Sequence, residues 1–243
     1  NCKFTGHAMM EDSLYCQLAC TAGVMPLYEY MHMPGMDWLG RHIASPIIPK
    51  QVSSVSRQLG KKMSLSETYA LCGWDCSYEE LKWIGEWQFV NGINILCQHL
   101  EGYTIRGLRK RDYSSPVTFQ APEWSDYKQF NDYFSRLGKL FADNDVVADV
   151  LVLHPLHSGW MAYDSGNCAA IQKLDRSFVE TSNLLSGLHI GYDYGDETIM
   201  AVHGRVEDGK LIIGKCAYSA VVLPSIDTLD ESTYILLTEF IAQ

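Results

Sequence analysis

The sequence predicts an α/β fold in which the C-terminal half of a (β/α)8 barrel is followed by a small doubly wound domain. Two observations predict it. Through residues 1–143, short apolar runs typical of strands alternate with amphipathic helical patterns, an order typical of a parallel sheet with right-handed crossovers. After Asn144 the pattern begins again with the buried-type strand Val150–Leu153. We therefore expect one domain at residues 1–143 and another at 144–243.

Four strands with their helices fill the first domain, which is half the number in a complete barrel. The expected strands lie at residues 4–7, 24–33, 62–67 and 93–99. Apolar spacing predicts helices at 11–22, 51–59 and 81–90, the last opened by the capping box Ser77-x-x-Glu80. Residues 43–49 hold two prolines and are expected to form a loop. A long loop at 101–123 precedes a helix that Ser125 is expected to cap.

The second domain is expected to contain three parallel strands, at 150–153, 188–192 and 220–223. Residues 154–167 are expected to form a loop and residues 171–185 a helix. The pair Asp208-Gly209 predicts a hairpin turn, and Thr228-x-x-Glu231 predicts the start of the last helix. The chain lacks the further strand of a complete flavodoxin-like sheet, so we expect a fragment of a longer protein.

The composition excludes several classes of function. A formal net charge of -10 argues against a nucleic-acid or anionic-membrane surface, although Arg106, Arg109, Lys110 and Arg111 form a local basic cluster. The eight cysteines are spread along the chain without tight C-x-x-C spacing, which favours reduced thiols in a cytoplasmic protein. We expect neither a metal site nor a cofactor, and no run of apolar residues is long enough for a membrane span.

Glu67 is the central candidate, and its surroundings allow two interpretations. A short apolar run precedes it, so it can lie at the carboxyl end of a strand, where barrel enzymes place their catalytic groups. Ser64-x-x-Glu67 is also the spacing of a helix capping box, in which the carboxylate only binds a free backbone N–H. The residues alone favour the cap.

A family resemblance bears on this choice. The segments TGHAMMED, MHMPGMDWLG, LSETYALCGW, CQHLEGY and DVLVLHPLHSGW resemble large bacterial glycoside hydrolases related to the α-L-rhamnosidases. Those enzymes have a TIM barrel followed by a flavodoxin-like domain similar to one found in some β-galactosidases. The resemblance implies that the four strands correspond to the fifth to eighth strands of a barrel. It also implies that Glu67 is the nucleophile or general base.

A glycosidase needs a second carboxyl group as the acid. In the related barrels the acid commonly comes from the fourth strand, which this chain does not contain. Glu11 is the best substitute among the residues present, and Glu29 is the next; a first-turn helix acid is the competing interpretation of Glu11. The expected substrate-binding residues are His7, Glu29, Asp37, Trp74, His99 and Arg109. Each of these also has a structural interpretation, as a packed, capping or solvated side chain.

We therefore expect a glycoside hydrolase fragment that acts on a carbohydrate, with the activity of the isolated fragment left open. The alternative is a carbohydrate-binding or structural module without activity of its own. Nucleotide or flavin binding is disfavoured because no G-x-G-x-x-G pattern follows Val150–Leu153. An open half-barrel exposes two sheet edges, so we expect a homo-oligomer or association with missing parts of the same protein.

Overall fold

The computed structural model describes residues 2–108, 113 and 116–243. Its first part contains, in chain order, β1 (Thr5–Gly6), α1 (Leu14–Cys20), α2 (Met25–Tyr28), β2 (Met33–Trp38), α3 (Ile47–Gln58), β3 (Leu65–Thr68), α4 (Tyr78–Val90), β4 (Ile95–Gln98) and α5 (Tyr127–Asp143). The four strands pair in the order β1-β2-β3-β4, and every pair is parallel. The predicted parallel sheet with helical crossovers is confirmed, whereas its origin as half of a barrel stays a prediction.

The second part also contains a parallel sheet. Its elements are β5 (Val150–Leu153), α6 (Leu156–Ala162), α7 (Ala169–Gly187), β6 (Tyr192–Gly195), α8 (Glu197–His203), β7 (Gly204–Glu207), β8 (Lys210–Ile213), β9 (Cys216–Tyr218), β10 (Ala220–Val222) and α9 (Glu231–Ile241). Strands β10, β5 and β6 form the parallel sheet in that order, and β7, β8 and β9 form an antiparallel sheet. The flavodoxin-like topology of this part stays a prediction.

Helix α3 joins the two parts because both of its sides are covered. Its apolar residues Val52 and Val55 are fully buried in a core cluster that contains residues of both parts. Its polar side faces β6: Lys50 Nζ donates to the Tyr192 carbonyl at 3.1 Å, and Gln58 Nε2 donates to the Tyr194 carbonyl at 2.8 Å. The domain boundary at residue 143 therefore stays a prediction, and one buried core cluster contains residues from both sides of it.

Two expected segments of the first part differ in the structure. The expected strand at 24–33 is instead the short helix α2, with Pro26 in its first turn, followed by β2 from Met33. Proline is tolerated there because its missing N–H is not needed in the first turn. For the same reason Pro49 lies within the first turn of α3, which begins at Ile47 inside the expected loop at 43–49.

The second part also differs from expectation in two places. Residues 156–162 of the expected loop form α6. The second strand lies at Tyr192–Gly195 rather than at 188–192, because Leu188 is 59% exposed and His189 has a φ of 57°, so the backbone is still turning there. The expected strand at 220–223 is confirmed as β10.

Of the three expected helix N-caps, the structure contains the one at α4. Ser77 and Glu80 form the expected capping box of α4, with each side chain bonded to the other's backbone N–H. The expected caps at Ser125 and Thr228 are wrong. A 3₁₀ helix at Pro122–Asp126 leads directly into α5, and Asp230 occupies the N-cap position of α9.

The expected hairpin at Asp208-Gly209 is confirmed between β7 and β8. Both turn residues have positive φ, at 52° and 69°, as a type I′ turn requires. All eight cysteines are free thiols, and of these Cys2, Cys20 and Cys97 are exposed. No helix in the described ranges is both long and apolar enough to cross a membrane.

Gly214 is expected to be intolerant of a side chain. Its φ is +54°, and a Cβ there would lie 2.1 Å from the Gln58 carbonyl oxygen of α3. Gly214→Ala should therefore lower the free energy of unfolding by more than the roughly 1–2 kcal/mol of a left-handed alanine. Gly209→Ala is the matched control, because its φ is +69° but nothing lies within 4 Å of its Cβ. Equal urea midpoints for the two variants would contradict the proposed clash.

Candidate active site

The site lies at the carboxyl edge of the first parallel sheet. Asp37 of β2 pairs with Glu67 of β3, and Glu67 pairs with Cys97 of β4. The three side chains therefore lie side by side on adjacent strands, on one face of the sheet. His7 directly follows β1, and His99 directly follows β4. Parallel strands end at the same edge, so the fold brings together residues far apart in sequence. Glu67 lies inside a strand, which excludes the capping-box interpretation.

Glu67 is held between two histidines. His7 Nε2 lies 2.6 Å from Glu67 Oε2, and His99 Nε2 lies 3.8 Å from Glu67 Oε1. The three side chains are 24%, 26% and 22% exposed for His7, Glu67 and His99 respectively. The carboxylate is therefore fixed in orientation while it remains accessible from solvent.

His7 is arranged to carry a positive charge. Its Nδ1 faces the Ala8 carbonyl at 2.5 Å and its Nε2 faces Glu67, so only the doubly protonated ring donates to both acceptors. Burial lowers the pKa of His7, but the Ala8 hydrogen bond, the charge of Asp37 and the Glu67 hydrogen bond outweigh it, leaving the pKa above its usual value. The protonated ring donates to Glu67 Oε2 and so orients that carboxyl group.

Asp37 differs from Glu67 in its environment. Burial raises the pKa of the Asp37 carboxyl; the charges of His7 and His99 lower it and that of Glu67 raises it, and the balance is a pKa above the usual value. Its Oδ1 is buried and has no hydrogen-bond partner among the described residues. Neighbouring carboxyl groups with different environments are the arrangement that separates an acid from a base.

Glu11 is a positioning residue in this structure, which argues against its predicted role as the general acid. It is only 2% exposed. Its Oε1 accepts hydrogen bonds from Ala8 N–H at 3.0 Å and Tyr28 O–H at 2.8 Å, and its Oε2 accepts one from Asp37 N–H at 2.9 Å. The carboxyl group therefore ties the segment after β1 to β2 and has no free oxygen directed at a substrate.

The backbone of Glu11 is held as firmly as its side chain. Its carbonyl accepts hydrogen bonds from Gln17 Nε2 at 2.9 Å and from Gln51 Nε2 at 3.0 Å. Gln51 Oε1 in turn lies 2.9 Å from His154 Nε2 in the second part. Tyr28, Gln17 and Gln51 have no signal in the sequence, because each meets Glu11 only through tertiary packing.

The other predicted substrate residues have different positions. Trp74 follows β3 and is 44% exposed, as a sugar-stacking side chain would be. Glu29 does not join the cluster: it precedes β2, at the amino end of the strand, where its Oε1 lies 2.7 Å from His203 Nε2. Arg109 lies outside the described residues. Cys97 is not among the predicted site residues, although its pairing with Glu67 places it on the same face of the sheet.

Glu11 is expected to make stability depend on pH. Burial raises the pKa of its carboxyl from 4.5 to about 7, so the folded protein binds a proton that the unfolded chain has lost. This contribution is present below pH 4.5 and is lost as the pH rises to about 7. At about 1.4 kcal/mol per pKa unit, it amounts to about 3 kcal/mol.

The measurement is urea unfolding of the wild type and Glu11→Gln between pH 4.5 and 8. The stability of the wild type relative to Glu11→Gln should fall across this window and then level off. The exposed α7 residue Glu180 provides the control, since Glu180→Gln should stay parallel to the wild type. A constant difference between the wild type and Glu11→Gln would contradict the raised pKa.

Comparison with solved structures identifies a related fold. A rhamnosidase from Novosphingobium sp. PP1Y matches 90% of this chain with a TM-score of 0.65 and 16% sequence identity. The fold is similar to that of glycoside hydrolase domains. A catalytic mutant of a GH42 β-galactosidase from G. stearothermophilus matches 98% of the chain, with a TM-score of 0.62 and 12% identity. Another GH42 β-galactosidase structure matches 99%, with a TM-score of 0.62 and 13% identity.

The chain spans only part of these enzymes. It covers 21% of the rhamnosidase chain and 35% of each β-galactosidase chain. No protein-family model and no curated protein sequence matches it. At this level of identity the similarity concerns the fold, and the chemistry has to be argued from the site.

Proposed function

We propose that this chain carries the carboxylate site of a glycoside hydrolase, within the C-terminal half of a (β/α)8 barrel. One observation carries the proposal: Asp37 and Glu67 are paired on adjacent strands at the carboxyl edge of a parallel sheet, between His7 and His99. Two carboxyl groups at that edge are what glycosidic hydrolysis needs. The related glycosidase folds support the same conclusion.

The two carboxyl groups have distinct roles in this proposal. Glu67, oriented by its contact with His7 Nε2, acts as nucleophile. Asp37, whose burial raises its pKa, is the acid that protonates the leaving oxygen in place of Glu11. After release of the leaving group, Asp37 activates the water that hydrolyses the glycosyl ester on Glu67.

The strand register supports retention of configuration. Adjacent strands lie about 4.7–4.9 Å apart, so the backbones of paired residues lie about that far from each other and their carboxyl groups can come similarly close. Retaining glycosidases have a separation of about 5–5.5 Å, and inverting ones need about 6.5–9.5 Å to fit a water. The register of Asp37 with Glu67 fits the shorter separation. Exposed Trp74 offers an apolar face for the sugar ring.

Hydrolysis of aryl α- and β-glycosides, rhamnosides and galactosides included, tests the proposal. We expect release of the phenol from at least one sugar, and the first sugar product should have the anomeric configuration of the substrate by proton NMR. The exposed variant Glu180→Gln, prepared in the same way, should give the same rate. Absence of turnover on every sugar would contradict an active site within this chain and favour the carbohydrate-binding or structural alternative.

A further inference from the structure

Three potential metal ligands meet at the carboxyl edge of the β10-β5-β6 sheet. His157 lies on α6 after β5, Glu197 opens α8 after β6, and Asp230 precedes α9 after β10. One ring nitrogen and one carboxylate oxygen from each acid lie within 4.8 Å of one another. The carboxyl edge of a parallel α/β sheet is where ligands commonly bind. These residues play no part in the Glu67 site.

The distances fit a small ion. His157 Nδ1 lies 2.8 Å from Asp230 Oδ1 and 3.9 Å from Glu197 Oε1. Zinc bonds to nitrogen and oxygen are about 2.0–2.2 Å long, which places neighbouring ligand atoms of a tetrahedron about 3.3–3.5 Å apart. The observed separations lie on either side of that value.

Two of the three ligands, His157 and Glu197, are also held by their other polar atom. His157 Nε2 lies 3.3 Å from the Thr198 hydroxyl, and the ring stacks on Trp160 with centroids 4.1 Å apart. Glu197 Oε2 accepts a hydrogen bond from Asp230 N–H at 2.8 Å, which leaves Oε1 available. Metal-binding histidines and carboxylates are typically oriented by such outer contacts.

The charge balance calls for a cation. Glu197 is 2% exposed, and in the described ranges no Lys or Arg forms an ion pair with Glu197 or Asp230. Asp196, the neighbour of Glu197, is fully buried, and its Oδ2 has no hydrogen-bond partner among the described residues. Among the residues that the structure describes, Glu197 and Asp230 thus have His157 as their one ion-pair partner.

We propose that His157, Glu197 and Asp230 bind a divalent transition-metal ion of the zinc class, with a fourth position open to water. Imidazole nitrogen and carboxylate oxygen are ligands that Zn²⁺ accepts, and three protein ligands with one open position is a recurring zinc arrangement. The ion links the ends of β5, β6 and β10, so its binding stabilises the second part. The sequence-based expectation of no metal site rests on cysteine spacing, and this set contains no cysteine.

Titration of Co²⁺ into the chelator-treated chain tests the proposal, because tetrahedral cobalt absorbs visible light and thiolate ligation adds a separate charge-transfer band. We expect one equivalent to bind without the thiolate band, and Zn²⁺ to displace it and raise the melting temperature. Asp230→Asn and Glu197→Gln should each weaken binding at least about tenfold. Asp230 has a side chain 43% exposed, so its variant should remain folded.

His203→Asn is the matched control, since His203 lies beside a single carboxylate, that of Glu29, at 2.7 Å. It should bind Co²⁺ as the wild type does. Three results overturn the proposal: no saturable binding, a thiolate band at one equivalent, or equal affinity in Asp230→Asn and the wild type. Any of them would make the cluster a hydrogen-bonded junction in which His157 Nδ1–H donates to Asp230.

Discussion

Replacement of Glu67 by glutamine is expected to lower kcat by roughly 10²- to 10⁴-fold, the usual contribution of a catalytic acid–base or nucleophilic group. Glutamine has the shape of glutamate and keeps an oxygen for the 2.6 Å contact with His7, so the cleft should survive. It lacks the negative charge that attacks the anomeric carbon. The measurements are kcat and KM on the best aryl glycoside, with calorimetric affinity for the free sugar.

The control is Glu180→Gln, which makes the same chemical change on the exposed face of α7 and should leave kcat unaltered. Loss of turnover with sugar affinity intact in Glu67→Gln distinguishes an enzyme from a binding module. Unchanged turnover in that variant would exclude Glu67 as nucleophile or base. A comparable loss of affinity and turnover would assign Glu67 to substrate binding only.

The carboxyl edge of the first sheet was predictable because strand order and strand period are local properties. Once β3 and β4 are assigned, Glu67 and His99 must lie near the same edge. Asp37 was among the expected substrate-binding residues although the strand before it was placed at residues 24–33. In the structure Asp37 lies within β2 itself.

The role of Glu11 could not be predicted from its neighbours in the chain. Its partners Ala8, Tyr28 and Asp37 are 3, 17 and 26 residues away, and their convergence depends on how α2 packs against β2. A buried carboxylate with three donors and a helix-capping acid look alike in sequence. Burial alone separates them, and burial is a tertiary property.

The polar face of α3 was misleading for the same reason. Lys50, Ser54 and Gln58 are typical of a solvated surface, yet all three are buried because β6 covers them. Strand β6 was correspondingly hard to find, since Asp193 interrupts its apolar run and is only 1% exposed. The association expected from open sheet edges, by contrast, stays a prediction.

Removal of the Arg57 side chain is expected to lower the free energy of unfolding by about 3–5 kcal/mol, the usual cost of leaving a buried charge unpaired. Arg57 of α3 forms an ion pair with Asp193 of β6 and donates to the Val146 carbonyl at 2.6 Å. In Arg57→Ala, the Tyr218 hydroxyl, at 2.9 Å, is the one side-chain donor that Asp193 keeps among the described residues. Urea unfolding followed by circular dichroism measures the loss.

A second substitution tests whether the unpaired charge is the cause. Asp193→Asn in the Arg57→Ala background removes that charge, so the double variant should be more stable than Arg57→Ala alone, and the coupling is read from a double-mutant cycle. Arg41 is the matched control: it pairs with Asp75 and Glu80 at the exposed surface, where solvent screens the charges, and Arg41→Ala should change stability far less. Similar losses for both arginines, with no recovery in the double variant, would mean that Arg57 acts through packing of its aliphatic stem, and the buried pair would then not be what joins α3 to the second sheet.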